Sequence, residues 1–496
     1  MPTSDLNRRD FVKLTAGAGA ALALPSIALP GESKEMIGIQ VGAISFVDEG
    51  TEKVLDILQE RGSVNTLFLA VFTYGRGIAG RQIPGQPLPD HGKQEYDLNF
   101  HGGNFATPHA EFYKNTVLKE TRAPDHGNLD ILAEVIPAAK KRNMKVICWL
   151  EDVFRSDLPN IQKVQERDLH GRNADTLCVN NPEYRNFLTG LVEDYARSYD
   201  IDGLMWGSER QGALCDSIGA THDTPPVDPG EVTCFCEFCQ AKAKERGINP
   251  DRAKEGFLEL EKYVRACRSG KRPVDGYYPQ FWRLLLRYPE LAAWEMLWTD
   301  SLRETYGAIY GTVKNAKPSI PVGWHIWHNN SFNPIYRAEQ DLHELSVHSD
   351  FIKVVMYNNC GGERMALYAD NIGSTIYGDL SKSQIIEMNY AMMNLKERSY
   401  AEIPHTGLSS DYVFRETKRA LAGVEGTKTL IWPGIDIDIP TEKGNSKCTP
   451  ESVKAAVTAA FHAGAPGVLL SRKYSEMRLG NLSGAGDAIR ELKLSV

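Results

Sequence analysis

An acidic residue directly after a short apolar run is the first candidate for chemistry in this sequence. Residues 203–206 form the run, and Ser208, Glu209 and Arg210 follow it. Such a run is typical of a buried parallel strand, and the carboxyl end of such a strand can open into a pocket. Glu209 is therefore predicted to be a general acid or base. The alternative is a structural ion pair between Glu209 and Arg210 or another arginine.

Two aspartates in residues 434–440 are candidates for a second carboxyl group. The two-residue period of a strand puts Asp436 and Asp438 on one side and the isoleucines on the other. Cleavage of a glycosidic bond uses two carboxyl groups, one to protonate the leaving oxygen and one to attack the anomeric carbon or activate water. Asp436 is preferred over Asp438 for the second role, and Glu476 is a reserve. Loop capping or cation binding is the alternative for the two aspartates.

Aromatic and polar residues follow the other apolar runs. Sugars present apolar ring faces that stack on Trp and Tyr, and hydroxyl groups that need hydrogen-bonding partners. Metal ligation is a further alternative for the two histidines in this set. The predicted substrate-binding residues are Trp149, Glu151, Asp152, Trp206, Arg210, Trp324, His325, His328, Tyr357, Asn358, Trp432, Arg472 and Tyr474.

Three cysteines within six residues form the most specific motif of the chain. Three thiolates at this spacing can surround one tetrahedral zinc ion, and a fourth ligand from elsewhere completes the shell. A structural zinc site is predicted, with one disulfide plus a free thiol as the alternative in an oxidising compartment. Cys178 and His222 are alternatives for the fourth ligand. The predicted ligands are Cys234, Cys236, Cys239 and, as the fourth, Cys215.

The elements that position these residues alternate between strand-like and helical patterns. Eight such units in order predict a (β/α)8 TIM barrel. A doubly wound sheet is the alternative, but no G-x-G-x-x-G follows the first strand. Thr449 and Pro450 predict the start of the helix before the last strand. The predicted strands are residues 37–46, 65–72, 145–150, 203–206, 322–326, 351–356, 429–432 and 467–470.

Long insertions are predicted after strands two, four and six of this barrel. Loops that follow the strands lie at the carboxyl face, where a barrel carries its active site. The insertions are therefore expected to wall the pocket. The barrel domain is predicted to span residues 36–496, and its insertion at 210–320 carries the cysteine motif.

The first 28 residues resemble a twin-arginine export signal. Arg8 and Arg9 precede an apolar run at residues 14–24, and small residues follow at Ser26 and Ala28. The run is shorter than the ~20 residues of a membrane span. We therefore expect a periplasmic or secreted protein without a membrane anchor after signal cleavage.

The numbers of acidic and basic side chains limit the kinds of binding partner that we expect. The chain has 64 acidic and 56 basic side chains, and its formal net charge is −8. Without a basic tract, nucleic acid is not an expected partner. A carbohydrate is the expected substrate, no organic cofactor is expected, and a homo-oligomer is compatible with the sequence.

A predicted barrel with C-x-C-x-x-C in the insertion after strand four resembles the zinc-containing family 42 β-galactosidases and related glycoside hydrolases. Retaining glycosidases of that clan carry the acid/base after strand four and the nucleophile after strand seven. The resemblance thus implies Glu209 for the first role and Asp436 or Asp438 for the second. Two features depart from the clan, since Ser208 replaces its usual Asn and strand seven offers Asp rather than Glu. The run at 206–212 is similar to an exported bacterial family labelled as glycosidases.

The sequence thus predicts an exported glycoside hydrolase that acts on a glycan fragment or a glycoside. Two other classes remain open. One is a metal-dependent sugar isomerase, epimerase or lyase that uses the same barrel. The other is a barrel that binds glycans without turnover. The residues around the divalent ion of the first alternative would be Glu151, Asp152, Glu209 and His325.

Overall fold

Eight parallel strands close into a barrel in the computed structural model, which describes residues 35–73, 80–98, 100–152 and 157–494. The strand order is β1-β8-β7-β6-β5-β4-β3-β2, and the pairing of β1 with β2 closes the ring. The predicted (β/α)8 barrel is confirmed. The strands are β1 (Met36–Gly42), β2 (Thr66–Thr73), β3 (Lys145–Glu151), β4 (Gly203–Gly207), β5 (Val322–Ile326), β6 (Phe351–Val355), β7 (Leu430–Asp436) and β8 (Gly467–Ser471).

The strands are apolar because both of their faces are buried. One face packs on the surrounding helices, and the other fills the barrel. The barrel is therefore a packed core at this level, and polar side chains gather nearer the carboxyl ends of the strands. The apolar layer inside the barrel consists of Phe68, Ala70, Ile147, Trp149, Met205, Phe351, Trp432 and Leu469.

Helices surround the barrel. They are α1 (Ala43–Glu49), α2 (Thr51–Gly62), α3 (Ile131–Lys141), α4 (Pro182–Ser198), α5 (Ala213–Ser217), α6 (Glu237–Glu245), α7 (Pro250–Arg268), α8 (Tyr277–Arg287), α9 (Glu290–Ala316), α10 (Pro334–Glu339), α11 (Leu342–Ser346), α12 (Asn358–Gly373), α13 (Lys382–Met393), α14 (Ile403–Thr406), α15 (Ser410–Gly423), α16 (Pro450–His462) and α17 (Leu479–Glu491). Within the described ranges, none of them combines the length and apolar character of a membrane span.

Two predicted boundaries illustrate what local sequence can specify. The Thr449 side chain accepts a hydrogen bond from the Ser452 amide, so the predicted start of α16 is confirmed. The first strand was predicted to reach residue 46, but β1 ends at Gly42 and α1 begins at Ala43. A short apolar run does not distinguish a strand from a helix by periodicity, which explains the error.

Short elements extend the carboxyl face of the barrel. A hairpin of Gln165–Arg167 and Asn173–Leu177 lies between β3 and α4, and helices α5 to α9 lie between β4 and β5. Gly103–Asn104 pairs antiparallel with the end of β2. The predicted signal at residues 1–28 lies outside the described residues.

Candidate active site

A row of aligned residues crosses five neighbouring strands, β3 to β7. Successive register partners in the row are Glu151, Gly207, His325, Lys353 and Trp432. Register partners in parallel strands point to the same side of the sheet. The Lys353 Nζ reaches Gln40 on β1, so this side is the barrel interior. The row thus brings a carboxyl group, an imidazole and an amine together inside the barrel.

Glu209 follows β4, two residues beyond the row. Its Oε1 lies 3.0 Å from His325 Nε2, and about 35% of its side chain is exposed. Burial alone would raise the pKa of Glu209, but the hydrogen bond with His325, the charge that His325 carries when it is protonated, and the charges of Arg364 and Lys353 lower it to about 2. Glu209 is therefore a carboxylate at neutral pH.

The pKa of Glu151 is displaced in the opposite direction. Its side chain is buried, and its Oε2 has no hydrogen-bonding partner among the described residues. Burial raises the pKa of Glu151 well above its ordinary value, and the negative charge of Glu209 raises it further. The positive charges of Lys353 and Arg472 act in the opposite direction and lower it. The two carboxyl groups thus have environments that favour opposite protonation states, an arrangement typical of acid and base pairs.

A cavity of about 510 Å³ opens beside Glu209. Its walls come from the hairpin after β3 and from the insertion after β4, and two tryptophans contribute apolar surface. The cavity combines the Glu209 carboxylate with aromatic and polar walls, which suits a polyhydroxylated ligand. Its lining includes Asp168, Arg172, Thr176, Glu209, Asp216, Trp298 and Trp327.

Trp149 and Trp432, two of the predicted substrate-binding residues, lie inside the barrel. Trp432 stacks on Phe351 with ring centroids 4.1 Å apart, and both tryptophans belong to the packed interior layer. Their Nε1 atoms have no hydrogen-bonding partner among the described residues. Both N–H groups are buried within this packed layer.

Tyr357 and Arg472 also lie at this end of the barrel. The Tyr357 hydroxyl accepts a hydrogen bond from the Lys353 Nζ at 3.0 Å. Arg472 follows β8 and pairs with Glu476, with 2.9 Å between Arg472 Nη2 and Glu476 Oε2. The positive charge of Arg472 also lowers the pKa of Glu151, so Arg472 lies near the row.

The predicted binding roles of Trp206 and Trp324 need correction. Both side chains are fully buried on the outer side of the sheet, where they pack against Tyr306 of α9 at 5.3 and 4.4 Å between ring centroids. Each alternates along its strand with a residue that faces the interior, such as Met205 or His325. Their rings therefore join the barrel to α9 and do not contact the pocket.

Asp436 lies in a capping arrangement. Its Oδ2 accepts a hydrogen bond from the Cys360 amide at 2.8 Å, and its Oδ1 accepts one from the Ile439 amide at 3.2 Å. The side chain is completely buried, and burial raises its pKa. This arrangement corresponds to the loop-capping alternative.

Asp438 and Glu476 are both paired with arginines. Asp438 lies 2.6 Å from Arg478 Nη2 and also accepts hydrogen bonds from Asn481. Glu476 is the partner of Arg472. The described contacts of these two acids therefore support the loops that follow β7 and β8.

Asp152 and Arg210 form a buried network beside Glu209. The Asp152 carboxylate accepts hydrogen bonds from Ser208 Oγ at 2.5 Å, Arg210 Nε at 3.0 Å and the Tyr184 hydroxyl at 3.0 Å. Arg210 Nη1 also lies 3.1 Å from Glu166 Oε2. Arg210 thus pairs with Asp152 and Glu166, and the alternative Glu209–Arg210 ion pair does not form.

His328 is fully buried behind the row. Its Nδ1 lies 3.1 Å from Arg364 Nη1, and its Nε2 lies 3.2 Å from the Tyr412 hydroxyl. Burial and the charge of Arg364 lower its pKa well below the ordinary value. A neutral His328 therefore supports Arg364, which in turn stabilises the Glu209 carboxylate.

Asn358 and Tyr474 occupy structural positions. Asn358 is the first residue of α12, and its carbonyl accepts a hydrogen bond from the Leu408 amide. Tyr474 is buried and packs on His91 with ring centroids 4.3 Å apart. Their described contacts are with protein groups outside the row.

Four buried thiols converge outside the barrel. They are Cys178, Cys234, Cys236 and Cys239, whose sulfur atoms lie within 4.8 Å of one another. The Cys178 Sγ is 3.4 Å from that of Cys236 and 3.6 Å from that of Cys239. Zinc–sulfur bonds of ~2.3 Å in a tetrahedron place sulfur atoms about 3.8 Å apart. The four thiols therefore fit a zinc ion.

The fourth thiol of this cluster is Cys178, one of the two alternatives, and the predicted Cys215 lies elsewhere. Cys178 follows the hairpin after β3, and the Phe235 amide donates to the Arg167 carbonyl, which joins this hairpin to the cysteine motif. Cys215 instead lies with Glu295 and Glu339. The nine cysteines, all within the described ranges, are free thiols.

Lys353, Gln40 and Arg364 are site residues that sequence reasoning missed. A signal was present for two of them. Lys353 is the one charged residue in the apolar run 351–356, and Gln40 is the one amide in the run 37–42. A polar residue within an otherwise apolar barrel strand indicates a side chain that faces the interior near its open end.

A family model for a twin-arginine translocation pathway signal sequence matches residues 5–25. This match supports the predicted export to the periplasm or the cell exterior. A search of curated protein sequences found no match.

Solved structures share the barrel at low sequence identity. A β-galactosidase from Halorubrum lacusprofundi matches with a TM-score of 0.50 and 14% identity over 92% of this chain and 58% of its own. An α-L-fucosidase from Paenibacillus thiaminolyticus has a TM-score of 0.47 and 13% identity over 92% of this chain and 49% of its own. The PgaB glycoside hydrolase domain from Bordetella bronchiseptica has a TM-score of 0.47 and 11% identity over 92% of this chain and 97% of its own. The chain spans about half to three fifths of the first two proteins, and at these identities the likeness shows the fold.

Proposed function

We propose that this protein is an exported glycoside hydrolase in which Glu151 donates a proton and Glu209 acts as nucleophile or base. The observation that carries the proposal is the pair of carboxyl groups at the carboxyl end of adjacent strands, whose pKa values are displaced in opposite directions. The barrel is shared with a protein named as a β-galactosidase, which is compatible with this activity.

The proposed reaction uses the two groups in sequence. Glu151 protonates the glycosidic oxygen as the bond to the anomeric carbon breaks, and the Glu209 carboxylate attacks that carbon or activates a water molecule. His325 donates a hydrogen bond from its Nε2 to Glu209 and orients the carboxylate. The cavity beside Glu209 receives part of the substrate.

This assignment differs from the role that the sequence suggested for Glu209. A general acid must hold a proton at the working pH. His325, Arg364 and Lys353 all favour the ionised form of Glu209, whereas burial favours the protonated form of Glu151. We therefore assign proton donation to Glu151.

The test compares aryl glycosides that differ in leaving-group pKa. Glu151→Gln should lower kcat/KM by about 10²- to 10⁴-fold on poor leaving groups and much less on activated ones, because only the former need protonation. Glu209→Gln should abolish turnover on both. Glu387→Gln, at an exposed acid on α13, is the control and should keep the leaving-group dependence of the parent.

Equal losses on both leaving groups in Glu151→Gln would contradict its role as the acid. If the protein binds glycans and no variant or parent turns them over, the alternative of a non-catalytic binding barrel replaces the hydrolase. The metal-dependent alternative needs Asp152 beside His325, but Asp152 is engaged by Ser208, Arg210 and Tyr184. Loss of activity on mild chelation, with thiol-bound zinc retained, would favour that alternative.

We also propose a structural zinc ion in the four-thiol cluster. Neighbouring thiols lower the pKa of Cys236, which favours the thiolate form that zinc binds. Such an ion would join the hairpin after β3 to the insertion after β4. Four thiolates leave no open coordination position, so its proposed role is in stability rather than in the reaction.

A further inference from the structure

Lys353 is a fully buried lysine in the middle of β6. The other residues of this strand are apolar, and its register partners are His325 on β5 and Trp432 on β7. Burying an amine in a barrel interior is costly unless it is hydrogen-bonded or neutralised. Its presence at the level of Glu151 therefore calls for a function.

The neighbouring strand leaves space for this side chain. A Cβ atom at Gly434 on β7 would lie 2.7 Å from Lys353 Cε, closer than real Cβ atoms approach. Any larger residue at position 434 would thus displace the lysine. The glycine on β7 and the lysine on β6 form one packing arrangement.

Two hydrogen bonds hold the amine at the centre of the barrel. The Lys353 Nζ donates to Gln40 Oε1 at 2.6 Å and to the Tyr357 hydroxyl at 3.0 Å. Both acceptors are uncharged. Among the described residues, no carboxylate forms an ion pair with the Nζ within 4.0 Å, so neither Glu151 nor Glu209 is committed to it.

Charged and titratable groups nevertheless face this lysine from several strands. They are Glu151 at the end of β3, Glu209 after β4, His325 on β5 and Tyr357 after β6. Burial lowers the pKa of Lys353 to about 7, while the charges of Glu209 and Glu151 oppose this decrease. In return, its positive charge favours the ionised form of both carboxyl groups.

We propose that Lys353 is a positioning residue that provides one shared positive charge for both carboxyl groups and stabilises whichever of them is ionised at each stage of the reaction. This inference rests on the proposed hydrolase function. Because the amine is hydrogen-bonded to Gln40 and Tyr357, it influences both carboxyl groups without occupying either of them.

The charges of the proposed reaction explain why one cation suffices. In the free site, Glu209 is ionised and Glu151 carries the proton. When Glu209 acts as nucleophile, its oxygen bonds to the anomeric carbon, the bond to the leaving oxygen breaks, and the Glu151 proton moves to that oxygen. Glu151 is then the carboxylate, so the pair holds one negative charge before and after the step. A cation near both groups stabilises both states.

The first experiment measures the pH dependence of kcat/KM, which reports the acid and base of the free enzyme. Lys353→Met removes the positive charge, so both carboxyl groups should lose protons at higher pH. We expect both limbs of the profile to move upward by about one pH unit. Lys418→Met, at an exposed lysine on α15, removes a positive charge away from the barrel interior and should leave the limbs in place. A Lys353→Met profile that superimposes on the parent profile would overturn the inference.

The second experiment needs no turnover and remains informative if Lys353→Met fails to fold. Lysine labelled with ¹³C at Cε allows the Lys353 titration to be followed by NMR in the parent and in Glu209→Gln. We expect Lys353 to titrate near neutral pH, and at lower pH in Glu209→Gln because a neighbouring negative charge is lost. Titration near ~10.4, the ordinary value, or an unchanged titration in Glu209→Gln, would overturn the inference. A shift without turnover of any glycoside would instead support the charge coupling and contradict the hydrolase function.

Discussion

His325 connects the Glu209 carboxylate to the barrel. Its Nε2 lies 3.0 Å from Glu209 Oε1, and burial together with the charge of Lys353 lowers its own pKa. A neutral imidazole at pH 7 can donate only one ring proton, and this proton is best placed on Nε2. His325 therefore orients Glu209 and stabilises its ionised form.

Replacing His325 should change the acid limb of activity. In His325→Leu, the hydrogen bond to Glu209 is lost, so the pKa of Glu209 should rise. As the pH is lowered, kcat/KM should therefore start to decrease at a higher pH than in the parent. At acid pH, kcat/KM should decrease by about 10-fold or more, since each pKa unit is tenfold in ionisation. Hydrolysis of an activated aryl glycoside across pH measures this effect. His405→Gln, at an exposed histidine, is the control, and an unchanged acid limb in His325→Leu would contradict the orienting role.

At the scale of elements, the hairpin after β3 lies between the thiol cluster and the pocket. Cys178 follows its second strand, Asn173–Leu177, directly. The carbonyl of Leu177 accepts a hydrogen bond from Arg210 Nη2 at 3.2 Å, and Glu166 on the first strand pairs with the same arginine. A metal ion bound by the thiols would therefore hold the pocket wall in place through the hairpin.

Removing one thiol should test the proposed zinc site. Cys236→Ser should lose bound zinc and unfold at a temperature lower by about 5 °C or more, because metal binding contributes to folding stability. The pH profile of kcat/KM should stay unchanged, since the cluster takes no part in proton transfer. Elemental analysis and calorimetry measure these effects.

Cys267→Ser provides the matched control for this test. Cys267 is a buried thiol on α7 that does not belong to the four-thiol cluster. Its replacement should keep the zinc content of the parent. A parent protein without zinc would refute the structural zinc site, and the cluster would then be a group of buried thiols.

At the scale of the whole molecule, the export signal and the barrel have separate functions. The matched signal covers residues 5–25, whereas the row of aligned residues lies on strands β3 to β7. Replacing both Arg8 and Arg9 by lysine should block export, because the twin-arginine pair is the recognised feature of the signal. Immunoblots of cell fractions should then show the protein in the cytoplasm, with its activity in lysates retained. Export at the parent level would contradict the twin-arginine route.

Much of this architecture could be predicted from local sequence. Eight apolar runs, each followed by a helical pattern, were sufficient to predict the barrel, because a strand buried on both faces needs a continuous apolar run. The start of α16 followed from Thr449, whose side chain caps its own helix. Glu209 was located because an acid after a barrel strand lies at the open end.

The remaining features depend on residues that are distant in sequence and close in space. Cys178 is separated from Cys234 by α4, β4 and α5, so only the packing of the hairpin could show that it completes the thiol cluster. The alternation along a strand shows which residues share a side, but it does not show which side is inside. Only the neighbouring elements show that Trp206 and Trp324 face outward.

The sequence was thus enough for the order of the strands, the export signal and the location of Glu209, since each is encoded in a short stretch. The opposite pKa shifts of Glu151 and Glu209 and the position of Lys353 in the same row as Glu151 required the tertiary structure. These properties arise from burial and from charges on other strands, and both exist only when the barrel is closed.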